Sequence, residues 1–194
     1  MWAVLVVSHT GQLMEQTALT GSRIGARFAS GYARTLLHVV SIPAVIAMAV
    51  IVFLLALWRG SRRRALWAAG TIAATNASAQ LLKHTLLWRP DFGLSQRWDA
   101  ANTLPSGHTA VAASTAVALV LVVGARWRSL TAWVGALLAA AMGYSTLVCQ
   151  WHRPGDVMAA LLLAVGWGAV AVACGAWAND EPAPGGRTGP DDGG

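Results

Sequence analysis

Five apolar runs, each close to the length of a bilayer-spanning helix, leave this chain few folds to choose from. They cover residues 36–58, 65–82, 106–124, 130–148 and 157–177. A spanning helix needs roughly 17–25 residues, because a rise of about 1.5 Å per residue must bridge a hydrocarbon layer about 30 Å thick. Of the 194 residues, 56% are hydrophobic and only 11% are charged, and the apolar positions form continuous runs rather than one-sided stripes. This pattern argues against an ordinary soluble domain and predicts an all-α fold, a multi-pass transmembrane helical bundle. The net charge of +6 does not point to nucleic acid, because the basic residues form short clusters between apolar runs. Loops of membrane proteins are built that way.

The loops also predict an orientation. Arg59, Arg62, Arg63 and Arg64 separate the first two runs, and Arg126 and Arg128 separate the third and fourth. Short basic loops stay in the cytoplasm, so the loop between the second and third runs and the junction of the last two should lie together outside. Trp58, Trp127 and Trp177 then fall at the inner boundary, and Trp88, Trp98 and Trp151 at the outer one. Arg23, Arg27 and Arg34 oppose this assignment from a less compact segment. Residues 1–7 are apolar but too short to span, either the remnant of a truncated helix or a surface contact, and residues 8–35 fit an interfacial helix. The expected organisation is one membrane domain, 1–178, followed by a disordered Pro/Gly-rich tail, 179–194. Cys149 and Cys174 should sit near opposite ends of neighbouring helices, as small buried hydrophobes rather than a disulfide.

Three polar clusters gather on the predicted outer side. The first, at the end of the second run, contains Lys83 and Arg89-Pro90, with Asn76, Gln80 and Lys83 forming a stripe at helical spacing. Cations at the end of an apolar span must snorkel or meet an anion. The second is Pro105-Ser106-Gly107-His108, where Ser106 is a favoured helix cap. The amides of a helix start, with the positive end of its dipole, suit an anion. The third, between the last two runs, holds Ser145, Thr146, His152, Arg153, Pro154 and Asp156. A carboxylate four residues past His152 can hold one imidazole nitrogen and leave the other nucleophilic. Two histidines, a carboxylate and several cations suit phosphoryl transfer, where charge spreads over the phosphoryl oxygens. A zinc site would need three or four close ligands, and Lys83 and Arg89 would oppose any cation, so no metal is expected.

Lys83…Arg89-Pro90, then Pro105-Ser106-Gly107-His108, then Ser145…His152-x-x-x-Asp156 resembles the three-part signature of the type 2 phosphatidic acid phosphatase (PAP2) superfamily. The resemblance implies a metal-independent phosphatase without a cofactor, with a helical core. It implies that His152 is the nucleophile forming a phosphohistidine, that His108 is the acid for the leaving oxygen, and that Asp156 orients His152. Lys83, Arg89, Ser106 and the Gly107 N–H would hold the phosphate. Two departures stand out. Five residues, not the usual six, separate Lys83 from Arg89, so the backbone must leave the helix before Arg89. Thr146 occupies the place of the family's third-part arginine, and Arg153 is the nearby candidate to replace it. The expected partner is a lipid phosphate in the bilayer: a polyprenyl diphosphate, phosphatidic acid or phosphatidylglycerol phosphate. A catalytically impaired lipid-binding protein, or a phosphatase of a polyprenyl-linked sugar phosphate, are the alternatives.

Overall fold

Small side chains set the architecture, because they let helices approach until backbone meets backbone. The computed structural model describes residues 1–22, 26, 31–35, 42–58, 62–94 and 102–178. All regular secondary structure among its described residues is helical, with α1 (Trp2–Leu5), α2 (His9–Gly21), α3 (Ile42–Trp58), α4 (Arg62–Leu81), α5 (Gly107–Val122), α6 (Arg128–Val148) and α7 (Pro154–Ala173). A π-helical turn, Leu82–Leu86, ends α4, and a 3-10 turn, Ala125–Trp127, leads into α6. Helix α5 is central and packs against α4, α6 and α7, while α3 covers α4. The buried contacts are mostly alanine: Ala113 with Ala139 and Ala164, and Ala79 with Ala110 and Ala160. Gly135 shows how close the packing is, since a Cβ there would lie 2.6 Å from the Ala116 methyl. Helix interfaces of this kind gain dispersion contacts from close backbone approach.

Among the described residues, two helices are long and apolar enough to cross a membrane, Ala125–Val148 (α6 with its leading turn) and Pro154–Ala173. Their apolar stretches are only 39% and 33% buried, whereas the core helix of a soluble protein would be mostly covered. Leu137, Leu138, Leu162 and Val165 all face outward. The other three of the five expected spans do not reach that length and hydropathy among the described residues. Helix α4 opens on three arginines, and α5, although apolar, has 16 residues and reaches only about 24 Å. The first run is described only from Ile42. Arg23, Arg27, Arg59, Trp98 and the tail 179–194 lie outside the described residues.

One expectation needs correction. Both cysteines are free, but neither is a buried hydrophobe: Cys149 and Cys174 are the C-caps of α6 and α7, and Cys174 is exposed. The last helix starts at Pro154, three residues before the apolar run at 157, because Pro fits a first helical turn and Asp156 bonds back to its cap.

Candidate active site

The turn between α6 and α7 is built by a residue in an uncommon conformation. Gln150 adopts φ 60°, a left-handed geometry usually left to glycine at this position after a helix. The Gln150 N–H donates to the Leu147 carbonyl and the Trp151 N–H to that of Thr146, both at 2.9 Å, the bonding of a Schellman end. The Gln150 side-chain amide also donates to the Leu19 carbonyl and the Ser22 hydroxyl, so the end of α2 braces the turn. The chain thus reverses within a few residues and delivers His152 beside the start of α7.

Asp156 is 2% exposed, and its Oδ2 collects three groups. Thr103 Oγ1 donates at 2.6 Å, the Arg153 N–H at 2.9 Å, and His152 Nδ1 lies 3.3 Å away. The Arg153 contact is half of a capping box, with the third residue of a helix reaching back to its cap. A carboxylate facing Nδ1 selects the tautomer with the proton there, which leaves the Nε2 lone pair outward.

Ser106 caps α5. Its Oγ accepts from the Thr109 N–H at 3.4 Å and from Thr109 Oγ1 at 3.0 Å, and its own N–H donates to the Asp156 carbonyl at 2.9 Å. The second and third clusters are therefore stitched together through backbone. Gly107 and His108 begin α5, where amides lack intrahelical acceptors. The His108 ring lies 5.6 Å from that of Trp151, and His108 is within electrostatic reach of His152 and Lys83.

The first cluster joins through Asn102, whose amide donates to the carbonyls of Lys83 (3.3 Å) and Leu87 (3.1 Å). The Leu87 N–H bonds to Leu82 five residues back, and Leu87 itself is extended (φ −108°, ψ 132°). The helix thus ends at Leu86, and the chain has left it before Arg89, as the shortened Lys83–Arg89 spacing requires. Arg89 Nη2 donates to Gln12 Oε1 at 2.7 Å. Burial, and next the like charge of Arg153, lower the Arg89 pKa from its usual value, while Asp156, Glu15 and Asp91 oppose that shift. An arginine remains charged nonetheless.

Thr146 is fully buried, and its hydroxyl turns back to the Gly143 carbonyl at 2.7 Å. No charge comes from this position. The buried Arg153 directs Nη1 to Thr103 Oγ1 at 2.9 Å, and that hydroxyl in turn serves Asp156. Arg153→Ala should lower kcat/KM roughly 10- to 100-fold, the worth of a charge-assisted contact of about 1.5–3 kcal/mol expressed in the transition state. Thr103→Val should lose a similar factor if Arg153 works through that hydroxyl. An Arg153→Ala enzyme with wild-type phosphate release would make Arg153 a packing residue only.

Sequence reasoning missed the contribution of α2. Gln12 and Glu15 lie one turn apart on its buried face, and Glu15 is 4% exposed. Glu15 Oε1 accepts the Gly155 N–H at 2.6 Å. Its pKa is raised to about 7, first by burial and then by the Asp156 charge, against the pull of the Gly155 amide, Arg153 and Arg89. A polar pair on a short amphipathic helix reads as a solvated face, and nothing in its spacing signals burial.

The assembled groups are a paired imidazole, a second imidazole, a cationic rim and a helix N-terminus, which together equip a phosphate ester hydrolase. The PAP2 superfamily pattern matches residues 64–180, more than half of the chain, and the chain belongs to that superfamily of phosphatases. No curated protein and no solved structure matches it.

Proposed function

We propose that this protein is an integral membrane phosphatase that hydrolyses a lipid phosphate monoester or diphosphate through a phosphohistidine at His152. The observation that carries this reading is the His152–Asp156 pair at 3.3 Å, set beside the start of α5 and tied to it by the bond from the Ser106 N–H to the Asp156 carbonyl. In this reading His152 Nε2 attacks phosphorus, the leaving oxygen (an alkoxide from a monoester, a phosphate oxygen from a diphosphate) takes a proton from His108, and water then releases phosphate from the histidine. Asp156 stabilises the charge that His152 gains. Lys83, Arg89, Ser106 and the Gly107 N–H hold the phosphoryl oxygens, with Arg153 supporting from the Thr103 side.

A lipid substrate is supported by an apolar cavity of about 470 Å³ beside the site, bordered by Trp2, Leu87, Pro105, Leu163 and Trp167. Pro105 adjoins Ser106, so a hydrocarbon chain in this cavity would bring its head group to the start of α5. The outward apolar faces of α6 and α7 favour a membrane setting, with five spans and the site on the extracytoplasmic side as the arginine loops suggest.

Phosphate release from a detergent-solubilised panel tests the reading. The panel holds a polyprenyl diphosphate, phosphatidic acid, phosphatidylglycerol phosphate and a polyprenyl-linked sugar phosphate. Turnover of at least one should persist in EDTA, since side-chain cations serve where a metal would. Binding without turnover would favour a lipid-binding protein instead, and activity lost in EDTA but restored by magnesium or zinc would overturn the cationic clamp.

A further inference from the structure

Glu15 is a buried carboxyl that the hydrolytic steps do not use. It reaches the site from α2, a segment outside the three clusters and outside the matched residues 64–180. Its two oxygens differ. Oε1 accepts the Gly155 N–H, whereas Oε2 is buried with no hydrogen-bond partner among the described residues. A mere helix cap needs one acceptor oxygen and no second, unsatisfied one, which is costly to bury.

The position is crowded with charge. Asp156 and Arg153 face Glu15 from the start of α7, and Arg89 from the segment after α4. On its own helix, Gln12 holds the Arg89 guanidinium one turn away. The space is closed on the other side by Leu5 and by Gly155 itself, where a Cβ would fall 2.3 Å from Glu15 Oε1. Glu15 therefore sits behind Arg89, the cation that a substrate phosphate would use, one turn of α2 from the side chain that holds it.

We propose that Glu15 is a positioning residue that gates anion binding: as a neutral acid it leaves the charge of Arg89 to the phosphate, and as a carboxylate it draws on that charge itself. The inference rests on the reading of the three clusters as a phosphate site. Above the ionisation of Glu15, binding of a phosphate takes up one proton, which stays on the carboxyl. By linkage, the presence of the anion must favour the protonated acid as much as the protonated acid favours the anion. The tendency of Glu15 to hold its proton to near neutral pH puts the change within the working range of a cell.

The test is the affinity of the detergent-solubilised full chain for inorganic phosphate, from pH about 5.5 to about 8.5, in wild type and Glu15→Gln. The ionisation of phosphate is common to both, so the ratio of the two Kd values isolates the carboxyl. Wild type and variant should agree at the acid end, and wild type should be weaker by roughly tenfold or more at the alkaline end. A ratio that stays flat overturns the inference, because a purely structural cap would shift both ends alike. Should Glu15→Gln not fold, Glu15→Asp serves: its shorter carboxyl should move the bend along the pH axis, and a curve coincident with wild type overturns the proposal. Lipid phosphate turnover is followed in parallel. A rising ratio without turnover leaves this inference standing and removes the phosphatase reading, turnover with a flat ratio removes only the inference, and no phosphate binding by wild type at any pH removes both.

Discussion

His152→Ala is expected to abolish turnover, with kcat lowered by roughly four to six orders of magnitude, the loss seen when a covalent nucleophile is removed from a hydrolase. No other group in the described site offers a nucleophilic lone pair held by a carboxylate: His108 opens α5 beside Trp151, and no contact to a carboxylate is observed for it. The side chain of His152 is 11% exposed at the rim of the site, so truncating it should leave the fold intact. Wild type quenched during turnover should carry an acid-labile, base-stable phosphoryl group that the variant lacks. A variant that keeps a hundredth of the wild-type rate would show that water attacks the ester directly and that His152 has another task.

Asp156→Asn should be the next most damaging change, with kcat reduced by roughly 100- to 10,000-fold, as when the orienting carboxylate of a catalytic histidine becomes an amide. One oxygen now accepts from Thr103 and the Arg153 N–H while facing His152. An amide can present its NH2 group to those same donors, and its neutrality removes the charge that stabilises an imidazolium. The KM should change far less, because the groups proposed to hold phosphate are elsewhere. Asp156 also caps α7, so part of the effect could be instability, and melting of the two proteins in the same detergent separates the contributions. A fall in KM affinity that matches the fall in kcat/KM would move Asp156 from orienting the nucleophile to shaping the phosphate site.

The parts of the site that were legible in the sequence are those whose geometry is local. Ser106 caps α5 because a serine hydroxyl reaches an amide three residues on. Pro154 opens α7 and Asp156 lies at its third position, so the spacing of four from His152 already implies contact across one turn. The early end of the helix before Arg89 was legible too, since proline disfavours helix in the residue before it. The π turn at Leu82–Leu86 that achieves it was not, because a π turn differs from an α-helix by one hydrogen-bond register and leaves no composition of its own.

The sequence by itself determined that the chain is helical and apolar, and where its three polar clusters fall, because hydropathy and short-range spacing act within one helix or one turn. Only the tertiary structure decided which partners those clusters have. Gln12 meets Arg89 across 77 positions, and Glu15 meets Gly155 across 140. Arg153 turns to Thr103, 50 positions away. A glutamate on a short amphipathic helix has the same sequence signature whether water or a buried amide receives it. Its burial follows from where α2 docks, and docking depends on the sum of many weak contacts between segments far apart in the chain.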